Sequence, residues 1–188
     1  MNKQIQGLQV VLYEMQILLG NNIGEMVIGG GAVRDALLNK PPKDIDLFIL
    51  SHGKGKSWGE LANIIRPKLT NFTKIKPVVE WHKSEPFLIE TIKHNYGEVQ
   101  IMLRNLSNVD ELMDTFDWNV SLFALTENGI VQREDEANIS PGKELWTQTI
   151  TYPKSTLRRG YRFSERFHMK IRKGEIEKIC KKVVEYNK

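Results

Sequence analysis

The stretch 27-VIGGGAVRDALLNKPPKDIDLFIL-50 reads as strand, glycine turn, short helix, proline-bearing loop and second strand. The second strand carries Asp44 and Asp46 at a spacing of two. Side chains two apart on a strand point to the same face. Two carboxylates on one face repel each other unless a cation sits between them. Hard oxygen ligands in that arrangement suit Mg²⁺, which takes one or two carboxylates together with substrate phosphates. Gly29, Gly30 and Gly31 precede a helix whose free N–H groups can hold a phosphate. A metal-binding pair opposite a phosphate-binding turn is a site for moving a phosphoryl or nucleotidyl group.

The segment resembles the motif of the tRNA nucleotidyltransferase and bacterial poly(A) polymerase family, in the polymerase-beta-like nucleotidyltransferase superfamily. That motif is G-G-x-V-R-D, a short helix, a few residues, then D-x-D. Gly30, Gly31, Val33, Arg34 and Asp35 fill its first half, and Asp44 and Asp46 its second. Asn39 stands where a glycine is commoner. The resemblance implies an α/β nucleotidyltransferase fold, a short mixed sheet backed by helices with a small C-terminal helical tail. It divides the chain into a catalytic domain, 1–150, and a helical segment, 151–188. It implies two Mg²⁺ ions held by Asp44 and Asp46. Gly30, Gly31, Arg34 and Asp35 are then nucleotide-binding or brace the turn.

Further along, the resemblance is looser. In the family, the strand after a hairpin supplies a third metal-binding carboxylate. Here the strand spans Glu98 to Leu103, and positions 98, 100 and 102 share one face. The family residue falls best on Gln100, which cannot balance a divalent charge as a carboxylate can. Glu98, on the same face, is the other candidate. Phe116-Asp117-Trp118-Asn119 looks like a weakened R-R-D-F-T-x-N-A, with Thr115 and Phe116 in place of two arginines. Asp117 carries over as a nucleotide contact; read from the residues alone, it is equally a turn aspartate bound to local backbone N–H groups. Leu157 to Met169 resembles the R-A-x-R-F helix that faces the triphosphate, with Arg159, Gly160, Arg162 and Phe163 matching. Arg159 and Arg162 are three apart and share a helix face. Their guanidinium forks suit phosphate oxygens.

The rest of the chain is read from pattern. Apolar residues at Ile5, Leu8, Val11, Leu12, Met15 and Leu19 predict an amphipathic helix, ended by Asn21, Asn22 and Gly24. Ser57 and Glu60 form a capping-box pattern for a helix reaching Lys68. Gly55-Lys56-Ser57 resembles the end of a phosphate-binding P-loop, but that motif needs a glycine at position 50, which is leucine. A basic turn is expected there instead. Strands are expected at Lys76 to Trp81, Phe87 to His94, Glu98 to Leu103, Val120 to Leu125 and Ile130 to Arg133. Turns at 95–97 and at Asn128-Gly129 join two pairs of them. Asn108 to Thr115 is expected to be helical, and the residues after Met169 to form one basic helix.

Composition bounds the rest. The 188 residues are 40% hydrophobic and 27% charged, enough for a packed core. No apolar run reaches the roughly 18 residues of a membrane span, and no signal peptide is expected. A single cysteine, Cys180, excludes an internal disulfide and fits a reducing cytoplasm. The four histidines lack metal-ligand spacing. A net charge of +4 suits a polyanionic partner, a nucleoside triphosphate or RNA. By resemblance the reaction is nucleoside monophosphate transfer to a hydroxyl, at an RNA or tRNA 3′ end. Transfer to a protein or small molecule is a second reading. A non-catalytic nucleotide- or RNA-binding relative is a third.

Overall fold

The computed structural model describes residues 2–51, 57–76, 87–133 and 139–186. The first helix, α1 (Lys3–Leu19), starts on Asn2, whose side chain accepts from the N–H groups of Gln4 and Ile5. All six apolar positions expected to face inward are buried. The helix ends at Leu19, as expected, but it is Gly20, with φ +82, that ends it, ahead of Asn21, Asn22 and Gly24. Next come β1 (Glu25–Gly29), α2 (Gly31–Leu37) and β2 (Asp44–Leu50). Asn39, in the glycine-favouring place after α2, has φ 57, a conformation that asparagine tolerates better than most residues. The helix α3 (Trp58–Lys68) has the expected capping box, with Ser57 and Glu60 bonded reciprocally.

The next strands are β3 (Lys74–Lys76), β4 (Phe87–His94) and β5 (Gly97–Arg104), the last two joined by a two-residue turn between His94 and Gly97. Residues 55 and 56 of the basic turn, and residues 77–81 of the strand expected there, lie outside the described residues. After α4 (Val109–Asp114) the chain forms β6 (Phe123–Thr126) and β7 (Gly129–Gln132). The strand expected from Val120 begins only at Phe123, because residues 119–121 form a 3₁₀ turn. The buried amide of Asn119 in this turn donates to Glu144 O and accepts from Trp146 N–H.

One seven-stranded mixed sheet results, in the order β3-β4-β5-β2-β1-β6-β7. Only β2 and β5 are parallel; every other pair is antiparallel. Ile45, Leu47 and Ile49 of β2 enter the main core with α1, α2 and α3. The alternate residues Phe48 and Leu50 belong to a second cluster with Val27, Leu112 and Met113. Period-two alternation therefore puts Asp44 and Asp46 on the face opposite the three helices.

The C-terminal segment is α5 (Pro153–Phe167) and α6 (Glu175–Tyr186). Proline at its first helical position starts α5, earlier than the expected Leu157, and His168 ends it with φ 52. The single basic helix expected after Met169 is preceded by a strand, β9 (Lys170–Ile171), which pairs in parallel with β8 (Glu144–Leu145). This ribbon crosses residue 150 and ties the helical segment to the sheet domain. Trp118, fully buried, packs with Phe163 and Phe167 and donates its indole N–H to Thr156 O at 2.9 Å. No helix among the described residues is long and apolar enough to cross a membrane.

Candidate active site

The parallel register of β2 and β5 sets Asp44 beside Glu98 and Asp46 beside Gln100. Paired residues share a face, so all four side chains emerge on the side opposite the helices. Gln100 is therefore the direct neighbour of Asp46, and Glu98, exposed, lies beside Asp44. Among the described residues no three His, Cys, Asp or Glu side chains gather as a metal cage. The acidic pair is nonetheless under stress. Burial and the adjacent Asp44 carboxylate push Asp46 up to about 7, with the Arg104 charge opposing. Arg104 lies on the same face, its guanidinium 5.7 Å from the Phe48 ring. A half-buried carboxylate crowded by a second one, with a neutral amide alongside, fits a hard divalent cation completed by substrate oxygens.

This geometry gives Gln100 a sharp test. Gln100→Glu places a third carboxylate beside Asp46. Calorimetric titration is expected to show tighter Mg²⁺ binding and, in chelator, a lower thermal midpoint from added like-charge repulsion. Unchanged Mg²⁺ affinity in this variant, with a loss in Glu98→Gln, would move the third-ligand role to Glu98.

The glycine turn sits at the end of β1, the antiparallel neighbour of β2. Gly30 has φ +70 and ψ −129, which L side chains avoid, and its N–H donates to Phe123 O at 2.8 Å. No side chain caps the start of α2. A Cβ on Gly29 would lie 2.8 Å from Phe116 Cζ and 3.0 Å from Phe48 Cε2. Phe116 thus closes over the turn, where the resembled family has an arginine. Its ring also meets Phe48, two residues beyond Asp46, at 5.9 Å.

Arg34 and Asp35 point away from the turn's open side, toward α5. Arg34 is 4% exposed. Its guanidinium lies 4.9 Å from the Phe163 ring and 5.1 Å from the Phe167 ring, and its Nε donates to Asp35 Oδ1 at 2.9 Å. Burial lowers the Arg34 pKa and Arg166 adds to this, while Asp35 and Asp117 act against it. The other Asp35 oxygen, Oδ2, accepts from Arg166 at 2.9 Å. These contacts tie the helix after the turn to α5.

Asp117 and Arg159 stand in the sequence as separate nucleotide contacts; the structure pairs them with each other. Arg159 Nε donates to Asp117 Oδ2 at 2.6 Å, so Asp117 is engaged by a distant helix rather than by local backbone. Arg162, one turn on, is exposed, and among the described residues it has no hydrogen bond or ion pair. The sequence reading missed Arg166 and Asn119. Arg166 was visible as a third basic residue on the face of Arg159 and Arg162, four beyond Arg162. Asn119 left no such signal. Three stretches far apart in sequence, 29–35, 116–119 and 159–167, are thus joined through Arg34, Asp35 and Asp117.

No protein-family profile and no curated protein matches the sequence. Solved structures do match by shape. A CCA-adding enzyme in complex with ATP superposes with a TM-score of 0.62 at 16% identity, over 98% of this chain and 46% of that one. A tRNA-processing enzyme in an apo form gives 0.60 at 16%, over 99% and 48%. The Thermotoga maritima CCA-adding enzyme complexed with tRNA gives 0.59 at 18%, over 97% and 45%. The chain has the nucleotidyltransferase fold of the CCA-adding enzymes, and it spans just under half the length of those solved chains.

Proposed function

We propose that this chain is a nucleotidyltransferase that moves a nucleoside monophosphate from a nucleoside triphosphate to a hydroxyl and releases pyrophosphate. The observation that carries the reading is one juxtaposition. The Asp44/Asp46 pair stands on the sheet face opposite the three helices, and the uncapped glycine turn ends the adjacent strand. When bound, two Mg²⁺ ions at Asp44 and Asp46 would lower the pKa of the attacking hydroxyl and neutralise the phosphates. The chain's own residues do the rest. Asp44 and Asp46 fix the cation-bearing edge of the site. The first turn of α2 offers backbone N–H groups to a phosphate, and glycine at 30 and 31 lets it approach closely. Arg162 offers a free guanidinium. Phe116, packed on Phe48 and the turn, stands at a motif position where the resembled family has an arginine.

For the acceptor we take an RNA 3′ end, in a tRNA-processing role and a reducing, cytoplasmic setting. The support is the tRNA bound to the Thermotoga enzyme, the net positive charge and the free, exposed Cys180. A second reading, a nucleotide-binding relative without turnover, is favoured by a neutral Gln100 beside Asp46 and by Thr115 and Phe116 where the resembled motif has arginines. Pyrophosphate release separates the two. Each nucleoside triphosphate is incubated with Mg²⁺ and, separately, an RNA, a protein and an aminoglycoside acceptor. Release that depends on RNA supports the first reading; release with another acceptor reassigns the substrate. Nucleotide binding with no release under any condition favours the second.

Arg162 gives a binding test of the same site. Arg162→Ala is expected to weaken MgATP by about 1–3 kcal/mol, the scale of a charged hydrogen bond, and adenosine hardly at all. Arg162→Lys keeps the charge but loses the fork, so its loss is intermediate. Equal losses for ATP and adenosine at fixed salt would show that Arg162 does not touch phosphate.

A further inference from the structure

We infer that Arg166 and Asp35 are positioning residues: their ion pair locks α5 against the helix after the glycine turn, and so sets Arg162 toward the nucleotide phosphates. The inference rests on the nucleotidyl-transfer reading. Arg159, Arg162 and Arg166 share one face of α5 at offsets of three and four. The outer two are held by acids of the sheet domain, Arg159 by Asp117 and Arg166 by Asp35. The arginine row thus flanks the packed face of α5, which carries Thr156, Gly160, Phe163 and Phe167; Arg162 and Arg166 are both exposed, and Arg162 lies between the two anchored arginines in the row.

Asp35 makes the second anchor specific. One oxygen takes Arg34 and the other takes Arg166, so its two acceptor directions are aimed by two helices at once. Arg34 adds a second tie between the same helices. Its buried guanidinium lies against Phe163 and Phe167, the residues just after Arg162 and Arg166. It also curls under the turn, with an NH2 nitrogen 3.4 Å from where a Cβ on Gly31 would be. The glycine turn and the α5 arginine row are therefore joined through Arg34, Asp35 and Arg166. Buried packing of Trp118 on Gly160, Phe163 and Phe167 docks α5, and the Asp35–Arg166 pair fixes the edge of the helix that carries the arginine row.

The test is a double-mutant cycle on the full chain. MgATP and adenosine binding are measured by equilibrium dialysis for wild type, Arg166→Met, Arg162→Ala and the double variant, with thermal midpoints alongside. Arg166→Met is chosen because Asp35 keeps its bond to Arg34. If Arg166 acts through Arg162, Arg166→Met weakens ATP about tenfold in the wild-type background and hardly further once Arg162 is gone. Adenosine binding stays unchanged, and Arg166→Lys, which can still reach Asp35, recovers part of the loss. Equal ATP losses in both backgrounds would overturn the inference by making Arg166 a phosphate ligand itself. Matching losses of ATP and adenosine with a lowered midpoint would make it fold support only, and no loss would remove any role. Wild-type protein that binds no MgATP would instead sink the nucleotidyl-transfer reading, and this inference with it.

Discussion

Asp46→Asn is expected to reduce transfer by about a thousandfold or more, while the protein becomes more stable in metal-free buffer above neutral pH. The activity loss follows if the carboxylate holds a cation worth several kcal/mol in the transition state. The stability gain follows from the raised pKa. Asp46 goes from an ordinary 3.8 to about 7 in the folded chain, chiefly through burial and then through Asp44. A carboxyl raised in this way binds its proton more tightly when folded. Its contribution to stability is fully present below pH 3.8 and is lost as pH rises through about 7. At about 1.4 kcal/mol per pKa unit, the loss at pH 8 is at most about 4 kcal/mol. Asparagine carries no charge, so denaturant titrations in chelator should separate Asn from wild type most at pH 8 and bring them together toward pH 4. Cation binding and protonation compete at Asp46, so wild-type Mg²⁺ affinity should climb as pH approaches 7. Asp44→Asn should likewise abolish transfer. If both variants keep wild-type turnover, the carboxylate pair is not the reaction centre.

The second large effect is structural. Gly160→Ala is expected to destabilise the chain by about 1–3 kcal/mol, despite alanine's better helix propensity. A Cβ at 160 would overlap Trp118 Cζ2, and the indole cannot retreat. It is fully buried, and its N–H is fixed on Thr156 O. Trp118→Phe should also destabilise, by leaving a void and removing the indole bond to Thr156 O. The double variant should be more stable than the sum of the two changes implies, by about 1 kcal/mol or more. The resembled family has phenylalanine and alanine at these places, in R-R-D-F-T and R-A-x-R-F. A larger aromatic and a smaller helix residue here share one space. Strict additivity in urea titrations would show that the two positions do not share the space.

The two halves of the site differ in how far sequence reveals them. Asp44 and Asp46 were legible because period-two alternation acts within a single strand, and Ile45, Leu47 and Ile49 fix which face is buried. The capping box at Ser57 and Glu60 was legible for the same local reason. That Gln100 lies beside Asp46 and Glu98 beside Asp44 follows from the parallel register, which no local pattern encodes across so many residues. The Arg159–Asp117 and Arg166–Asp35 pairs depend on how α5 docks. That docking is decided by Trp118, Gly160, Phe163 and Phe167 together. The two-residue ribbon of β8 and β9 is too short to show any period.

The fate of each phosphate is the most direct test of the central claim. Nucleoside triphosphate labelled at the α-phosphate, and separately at the γ-phosphate, is incubated with Mg²⁺ and an RNA acceptor. The account predicts α-label on the RNA 3′ end and γ-label in pyrophosphate, both lost in Asp46→Asn. It is contradicted if γ-label appears on the acceptor. It is equally contradicted if α-label never leaves the nucleotide with RNA, protein or aminoglycoside present.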